Sequence, residues 1–335
     1  MSSAEPRAPV FGIIRGMRIL TGIQPSGKLH WGNYFGAMKS MFDLQEKGEN
    51  FMFIANFHAM TTVRDGAALR AATADVALDY LACGLDPEKT VVYRQSDVPE
   101  VQELAWYLSC LTPMGLLERC HSYKDKMAHG FEATHGLFAY PVLMAADILI
   151  MQSDLVPVGK DQKQHLEVTR DLAQKFNNAY GETFKMPDAY IPETVATIPG
   201  TDGQKMSKSY HNTIELFEPN GSIKKKVMGI VTDSKTMEEP KEPEGNSIYE
   251  LYKLFATKEE VADMAAHFRA GNYGYGHAKK ALLEAYHRLF DPFRAKREEL
   301  AKDRDTLEDI LKAGAEKARA AAAPTMEKVR AAVGI

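Results

Sequence analysis

Residues 22–33 read GIQPSGKLHWGN. From Gly22 the spacing Gly-x-x-x-x-Gly-Lys follows a phosphate-cradling loop up to its last position, where a Ser or Thr hydroxyl binds the magnesium ion. That position is Leu29, so the metal-binding hydroxyl is missing. The same glycines suit a second device, in which a strand ends at Ile23, Pro25 and two glycines shape a tight loop, and a helix starts near Gly32-Asn33. In an open parallel sheet, ligands bind at the carboxyl ends of strands, where unpaired N–H groups and the helix dipole attract phosphate. A glycine-rich turn without a ligand fits the stretch as well. A second candidate is Lys205-Met206-Ser207-Lys208-Ser209, inside the polar loop GTDGQKMSKSYHN. Two lysines and two hydroxyls flanked by Gly200, Gly203 and Asn212 can clamp a polyphosphate and neutralise charge that builds on it. Alone, such a loop is also ordinary solvated surface.

Asp147 is the only charged residue in the apolar stretch 142–151. A buried carboxylate needs a partner, whether a ligand donor, an internal salt bridge or a neighbouring helix end. His58 follows a strand-like run and fits either a ligand contact or a packed strand end. Cys83, Cys110 and Cys120 form no close Cys-x-x-Cys pair, which argues against a disulfide framework, a zinc site or an iron–sulfur cluster and fits a reducing cytoplasm. With a net charge of −4, a nucleic-acid partner requires a local basic face. The candidates are Lys224-Lys225-Lys226 and the C-terminal Lys312, Lys317, Arg319, Lys328 and Arg330, the latter interleaved with Glu308, Asp309, Glu316 and Glu327.

These groups must be held by a scaffold that the apolar pattern outlines. Strand-like runs at 18–23, 51–57, 90–95 and 155–158 alternate with helical patterns at 33–47, 65–84, 100–111, 115–121, 141–152 and 162–176. Such alternation implies an α/β fold with a doubly wound parallel sheet. Beyond about residue 212 the pattern is helical only, at 222–231, 248–256, 258–270, 277–302 and 306–323, with Gly271-Asn272 and Pro324 as breaks. The 335 residues therefore divide into a tail at 1–17, an α/β domain at 18–212 and a helical region at 213–335. No apolar run reaches the ~18 residues that span a bilayer, and residues 1–16 lack the pattern of a signal peptide. The expectation is a cytoplasmic protein with no membrane contact.

Taken together, the two loops resemble the signature motifs of the class I aminoacyl-tRNA synthetases. His30-Trp31-Gly32-Asn33 stands where the family carries His-Ile-Gly-His, with Asn33 a variant familiar in the tryptophan branch, and Lys205 to Ser209 matches Lys-Met-Ser-Lys-Ser throughout. Resemblance to that branch continues from about residue 18 to the end. It is carried by Gly22-Ile-Gln-Pro-Ser-Gly27, Leu117-Glu-Arg119 leading to Lys124-Asp-Lys126, Tyr140-Pro-Val-Leu-Met-Ala-Ala-Asp147, Val156-Pro-Val-Gly-Lys-Asp-Gln-Lys-Gln-His165, Val231-Thr-Asp-Ser234 and Gly314-Ala-Glu-Lys-Ala318.

The resemblance implies a Rossmann-like domain with a C-terminal helical domain that binds tRNA and its anticodon, the last helices returning to the catalytic domain. It implies ATP-dependent activation of L-tryptophan to tryptophanyl-AMP, release of pyrophosphate, transfer to the 3′ end of tRNA(Trp), and a homodimer. Gln24, Pro25, Ser26, Gly32 and Asn33 would contact ATP. Gly159, Lys160 and Asp161 would lie at the ribose and adenine, with Ile198 near the base. Lys126, Lys205 and Lys208 would hold the phosphates, with Met206, Ser207 and Ser209 completing that loop. Gln24, Asn33 and the three lysines form the expected catalytic set. Asp147 would accept the indole N–H, and Tyr140, Met144, Gln162, His58, Val156 and Val158 would line the amino-acid pocket. Mg2+ would be held mainly by phosphates and water, since no dedicated metal cage is visible. Two residues depart from the family: Lys160 replaces a commonly acidic residue, and Leu20 stands where an aromatic ring covers the indole.

The chemistry agrees with the residue types. The nucleophile is the substrate's own carboxylate, already ionised at neutral pH, so orientation and charge stabilisation rather than a general base must supply the rate. The competing readings are a tyrosine-specific sister enzyme, a phosphate-loop ATPase or kinase, and a non-catalytic tRNA-binding paralogue.

Overall fold

In a computed structural model, residues 16–120, 130, 132, 134–159, 162–190 and 198–335 are described. The second strand is apolar on both faces from Phe51 on, as a strand covered by helices on two sides must be. In β2 (Glu49–Ile54), Phe51 and Phe53 enter one core while Met52 and Ile54 enter the other. With β1 (Arg18–Ile23), β3 (Thr90–Arg94), β4 (Leu155–Pro157) and β5 (Asp188–Tyr190), it builds a five-stranded sheet of order β3-β2-β1-β4-β5. All four pairings are parallel, with Arg18 to Ile23 in register with Glu49 to Ile54. This is the doubly wound sheet that strand–helix alternation implied. The fifth strand escaped the sequence reading because it is three residues long, partly exposed and begins with Asp188.

Two boundaries moved for identifiable reasons. Strand β2 stops at Ile54, and Asn56–Ala59 turns into a short helix because the N–H groups of Phe57 and His58 donate to Gln95 Oε1 at 3.0 and 3.4 Å instead of to a neighbouring strand. The helix after β1 begins at Trp31, passes through a π-helical stretch at Tyr34–Met38 and ends with Lys39–Leu44. That wider turn keeps Trp31, Tyr34, Met38 and Met41 buried together.

The helical region consists of Asn220–Met228, Ser247–Phe255, Lys258–Ala270, Tyr275–Lys302 and Arg304–Val333. Pro324 does not break the last helix. Its ring removes one backbone donor, its neighbours Ala321, Ala322 and Ala323 are small, and Met326 and Val329 beyond it are fully buried. That packing holds the helix together past the lost hydrogen bond. This helix lies against strand β3 and helix Glu100–Leu111. Gly314 approaches β3 so closely that a Cβ there would stand 1.8 Å from the Val92 carbonyl oxygen. Arg319 pairs with Glu100 at 2.6 Å and Arg330 with Glu103 at 2.6 Å, so two of the bases offered above for tRNA are engaged within the chain.

Replacing Gly314 by Ala must push the last helix away from β3. The expected cost is about 2 kcal/mol or more, with Tm lowered by at least about 3 °C. Gly276, in a helix with nothing near its Cβ direction, supplies the control: Gly276→Ala should leave thermal unfolding unchanged or slightly raise Tm.

Candidate active site

Strand order reverses at β1, which pairs with β2 on one side and β4 on the other. Ligand crevices open at such a point, outside the carboxyl ends of the strands. The loop leaving β1 is shaped by Gly27 at φ +109°, a conformation that side chains disfavour, and by the Ser26 N–H donating to the Gln24 carbonyl at 2.9 Å. The His30 N–H donates to Asn33 Oδ1 at 3.0 Å, which starts the helix. His30 is buried, and burial, assisted by the nearby Lys208 charge, pushes its imidazole down to about 4. It is therefore neutral at pH 7.

The second loop is tied to the first. It folds back on itself through Met206 N–H to Ile198 O at 2.8 Å and Gly200 N–H to Gln204 O at 2.7 Å. Asn212 staples it, accepting from the Ser207 N–H at 2.8 Å and donating to Asp202 Oδ1 at 2.7 Å and Lys205 O at 3.0 Å. A Cβ on Gly200 would strike Asn212 at 2.4 Å, so the staple requires that glycine. Met206 is buried, and its sulfur accepts the Gly32 N–H at 3.3 Å, while Lys208 Nζ donates to the Ser26 carbonyl at 3.3 Å. The structure thus brings Ser26, Gly32, Asn33, Ile198 and residues 205–209 to one mouth. Lys205, Lys208 and Ser209 are exposed there, and Pro25 is buried beneath it.

Gln24, at the start of the first loop, also borders a cavity of 480 Å³, within the range of small-molecule sites. Gln24, His58, Tyr140, Met144, Asp147, Val156, Val158, Gly159 and Gln162 all border it, as does Leu20. Lys126, Lys160 and Asp161, also expected at the site, lie outside the described residues.

Asp147 is 3 % exposed. His58 Nε2 lies 2.8 Å from its Oδ2, and Gln95 Nε2 donates at 2.9 and 3.0 Å to its two oxygens. Burial raises its pKa above the usual carboxylate range, opposed by the hydrogen bond and charge of His58 and by the Gln95 amide. A carboxylate offers about four acceptor positions, so these partners still leave capacity on Oδ1 for a donor in the cavity. Gln24 Nε2 donates to the His58 carbonyl at 3.0 Å, joining the first loop to this cluster. On the opposite wall Tyr140 OH lies 2.7 Å from His165 Nε2, whose Nδ1 lies 3.0 Å from Gln162 Oε1. Gln95 and His165 were not singled out from sequence. Gln95 follows directly on Arg94, the last residue of β3, and nothing in its spacing set it apart.

No group of three or more metal-ligating side chains occurs among the described residues. Residues 15–291 match the family described as tRNA synthetases class I (W and Y). The chain is 56% identical over 319 residues to the tryptophan–tRNA ligase of Rhodopirellula baltica, covering 95% of this chain and 100% of that one. It is 54% identical to the corresponding ligase of Fusobacterium nucleatum, covering 95% and 98%. The chain belongs to the tryptophan–tRNA ligases.

Its fold agrees with the Campylobacter jejuni tryptophanyl-tRNA synthetase solved with ADP and tryptophan, with a TM-score of 0.91 at 51% identity, covering 95% of this chain and 100% of that one. Membership of this aminoacyl-tRNA synthetase family sets aside the phosphate-loop kinase reading.

The raised Asp147 pKa has a pH consequence. The folded protein holds that proton above the pH at which the unfolded chain releases it, so the contribution is complete below the ordinary Asp pKa of about 4 and is lost as pH rises through the raised value. Asp147→Asn carries no such proton. Its Tm relative to the unmodified protein is expected to rise as pH climbs from about 4 towards neutrality. Thermal unfolding of both proteins across that range measures it, and a flat difference would contradict the assignment.

Proposed function

We propose that this chain activates L-tryptophan with ATP, releases pyrophosphate and passes the tryptophanyl group to the 3′ end of tRNA(Trp), with the residues above in the following roles. The observation that carries this reading is a buried carboxylate lining a cavity that Gln24, at the start of the first signature loop, also borders. Asp147 accepts the indole N–H, with His58 and Gln95 keeping its carboxylate oriented. Val156, Val158 and Met144 supply the apolar walls. Tyr140 and Gln162 face the amino-acid end, and Gly159, with Lys160 and Asp161 beyond it, faces the ribose.

Gln24, Pro25, Ser26, Gly32 and Asn33 seat ATP against the helix N-terminus, with Ile198 beside the base. Lys126, Lys205 and Lys208, in a loop completed by Met206, Ser207 and Ser209, gather the phosphates as negative charge moves to the leaving pyrophosphate. The substrate carboxylate attacks the α-phosphorus directly, so no side chain removes a proton, and the neutral His30 is consistent with that. Mg2+, held by phosphate oxygens and water, would add charge neutralisation at the leaving group.

A homodimer is supported by an apolar face on and beyond helix Glu100–Leu111, where Trp106 and Met114 are 68% and 64% exposed. Exposed Lys224 and Lys225 on helix Asn220–Met228 offer phosphate contacts for tRNA. A cytoplasmic location rests on the three free cysteines. No helix among the described residues is long and apolar enough to cross a membrane.

Two measurements test the assignment. Amino-acid-dependent ATP–pyrophosphate exchange should proceed with Trp and be absent with Tyr and Phe, and exchange with Tyr alone would overturn it. Lys208→Ala should lower kcat for exchange by about 10²–10³-fold, the scale for losing one preorganised charge at a developing anion. Full exchange in that variant would refute the role given to residues 205–209.

A further inference from the structure

Lys28, the residue that first suggested a phosphate loop, lies outside the roles assigned above. Its ammonium pairs with Asp75 on helix Gly66–Cys83. The other oxygen of Asp75 accepts Arg297 Nη2 at 2.7 Å, and Arg297 Nε donates to the buried Asp79 at 2.5 Å. Arg297 belongs to the long helix Tyr275–Lys302 of the helical region. Its guanidinium also lies 5.5 Å from the Phe217 ring centre. One turn earlier, Arg294 donates to the carbonyls of Phe217 and Glu218 at 3.0 and 2.7 Å. The segment so held is the one that pairs with the first signature: Trp31 N–H to Ile214 O at 3.0 Å and Leu216 N–H to Leu29 O at 2.9 Å. Burial lowers the pKa of Lys208, and Glu215, at the centre of that pairing, opposes the shift. Lys28, Leu29, Asp79, Glu215, Phe217 and Arg297 enclose a small space of 60 Å³.

The first signature loop is therefore tied twice to one helix of the helical region, through Arg297–Asp75–Lys28 and through Arg294, which holds the Phe217 and Glu218 carbonyls next to the Leu216 that bonds Leu29. We propose that Arg297, Asp75 and Lys28 form a positioning relay that sets the seating of ATP in the loop 24–33 according to the position of helix Tyr275–Lys302. None of the three is offered as touching the reacting atoms. The inference rests on the reading of residues 24–33 as the ATP loop. Arg297 is suited to the bridge because its fork engages two carboxylates at once, which a lysine cannot do. Lys28 is half-exposed, so its pair adds little to stability. What it fixes is the geometry of a loop on which near-attack alignment depends.

The test is tryptophan-dependent exchange by the full chain, with KM for ATP, KM for Trp and kcat measured separately for Lys28→Met, Asp75→Asn, their double variant and Arg297→Lys. The single variants should raise KM for ATP or lower kcat by about 3- to 10-fold while KM for Trp stays unchanged. The double variant should be no worse than the more impaired single, because both break one chain of contacts. Arg297→Lys, reaching one carboxylate, should fall between Asp75→Asn and the unmodified protein. If Lys28→Met and Asp75→Asn leave both ATP constants within twofold, or if KM for ATP and Trp rise together with loss of folded protein, the relay is refuted. Should Asp75→Asn fail to fold, Lys28→Met decides alone, since its side chain is largely in solvent. A wrong ATP-loop assignment would show separately, as an unchanged KM for ATP and kcat in Asn33→Ala, which alters residues 24–33 themselves.

Discussion

A carboxylate that is 3 % exposed has to be satisfied from inside the protein, and several elements around the sheet converge on that requirement at Asp147. Its partners come from different elements: His58 from the short helix after β2, Gln95 from the end of β3, and Asp147 itself from helix His135–Ile150. Each partner has a second obligation. Gln95 Oε1 receives the N–H groups of Phe57 and His58, and the His58 carbonyl receives Gln24. The carboxylate therefore fixes where β2 ends, how the chain turns after it and where the first signature loop begins. A ligand donor meets a group already oriented, which is how a buried polar site comes to reject analogues that lack the donor.

The phosphate end of the site follows a different principle. Attack by a substrate carboxylate that is already ionised needs no acid–base pair there. The two loops are far apart in sequence and are held together by the buried Met206, whose sulfur meets the Gly32 amide, and by Lys208 reaching the Ser26 carbonyl. The second loop is stiffened by Asn212 and the first by the antiparallel pairing at residues 214–216. Both sets of contacts lead to the long helix Tyr275–Lys302, through Tyr286, whose hydroxyl donates to the Leu216 carbonyl at 2.9 Å and whose ring stacks on Trp31 at 5.4 Å. The first loop and the long helix are thus mechanically joined.

Much of this was legible in the sequence, for physical reasons. Runs such as Phe51 to Ile54 are apolar on both faces and read as buried parallel strands, while the two signature loops combine glycine, lysine and hydroxyl residues in a spacing that few other functions need. Asp147 stood out because a lone charge among apolar residues demands a partner. The rest depends on tertiary contact. Strand β5 is too short and too polar to announce itself. The turn after β2 is decided by Gln95, forty residues away in the chain. Pro324 signalled a helix end that burial of Met326 and Val329 overrode, and Arg319 and Arg330 resembled nucleic-acid contacts until Glu100 and Glu103 were seen beside them. Lys28 belonged to a motif it does not serve, because its partner lies on a helix that spacing alone does not bring near.

The central claim is that Asp147 reads the indole N–H. The most direct measurement compares kcat/KM in ATP–pyrophosphate exchange for L-tryptophan and for its benzothiophene isostere, in which sulfur replaces the N–H with little change of shape. The account predicts a loss of roughly 10⁴-fold for the isostere, the scale seen where a buried polar group is left without its donor. Exchange with the isostere within a few-fold of tryptophan would contradict it.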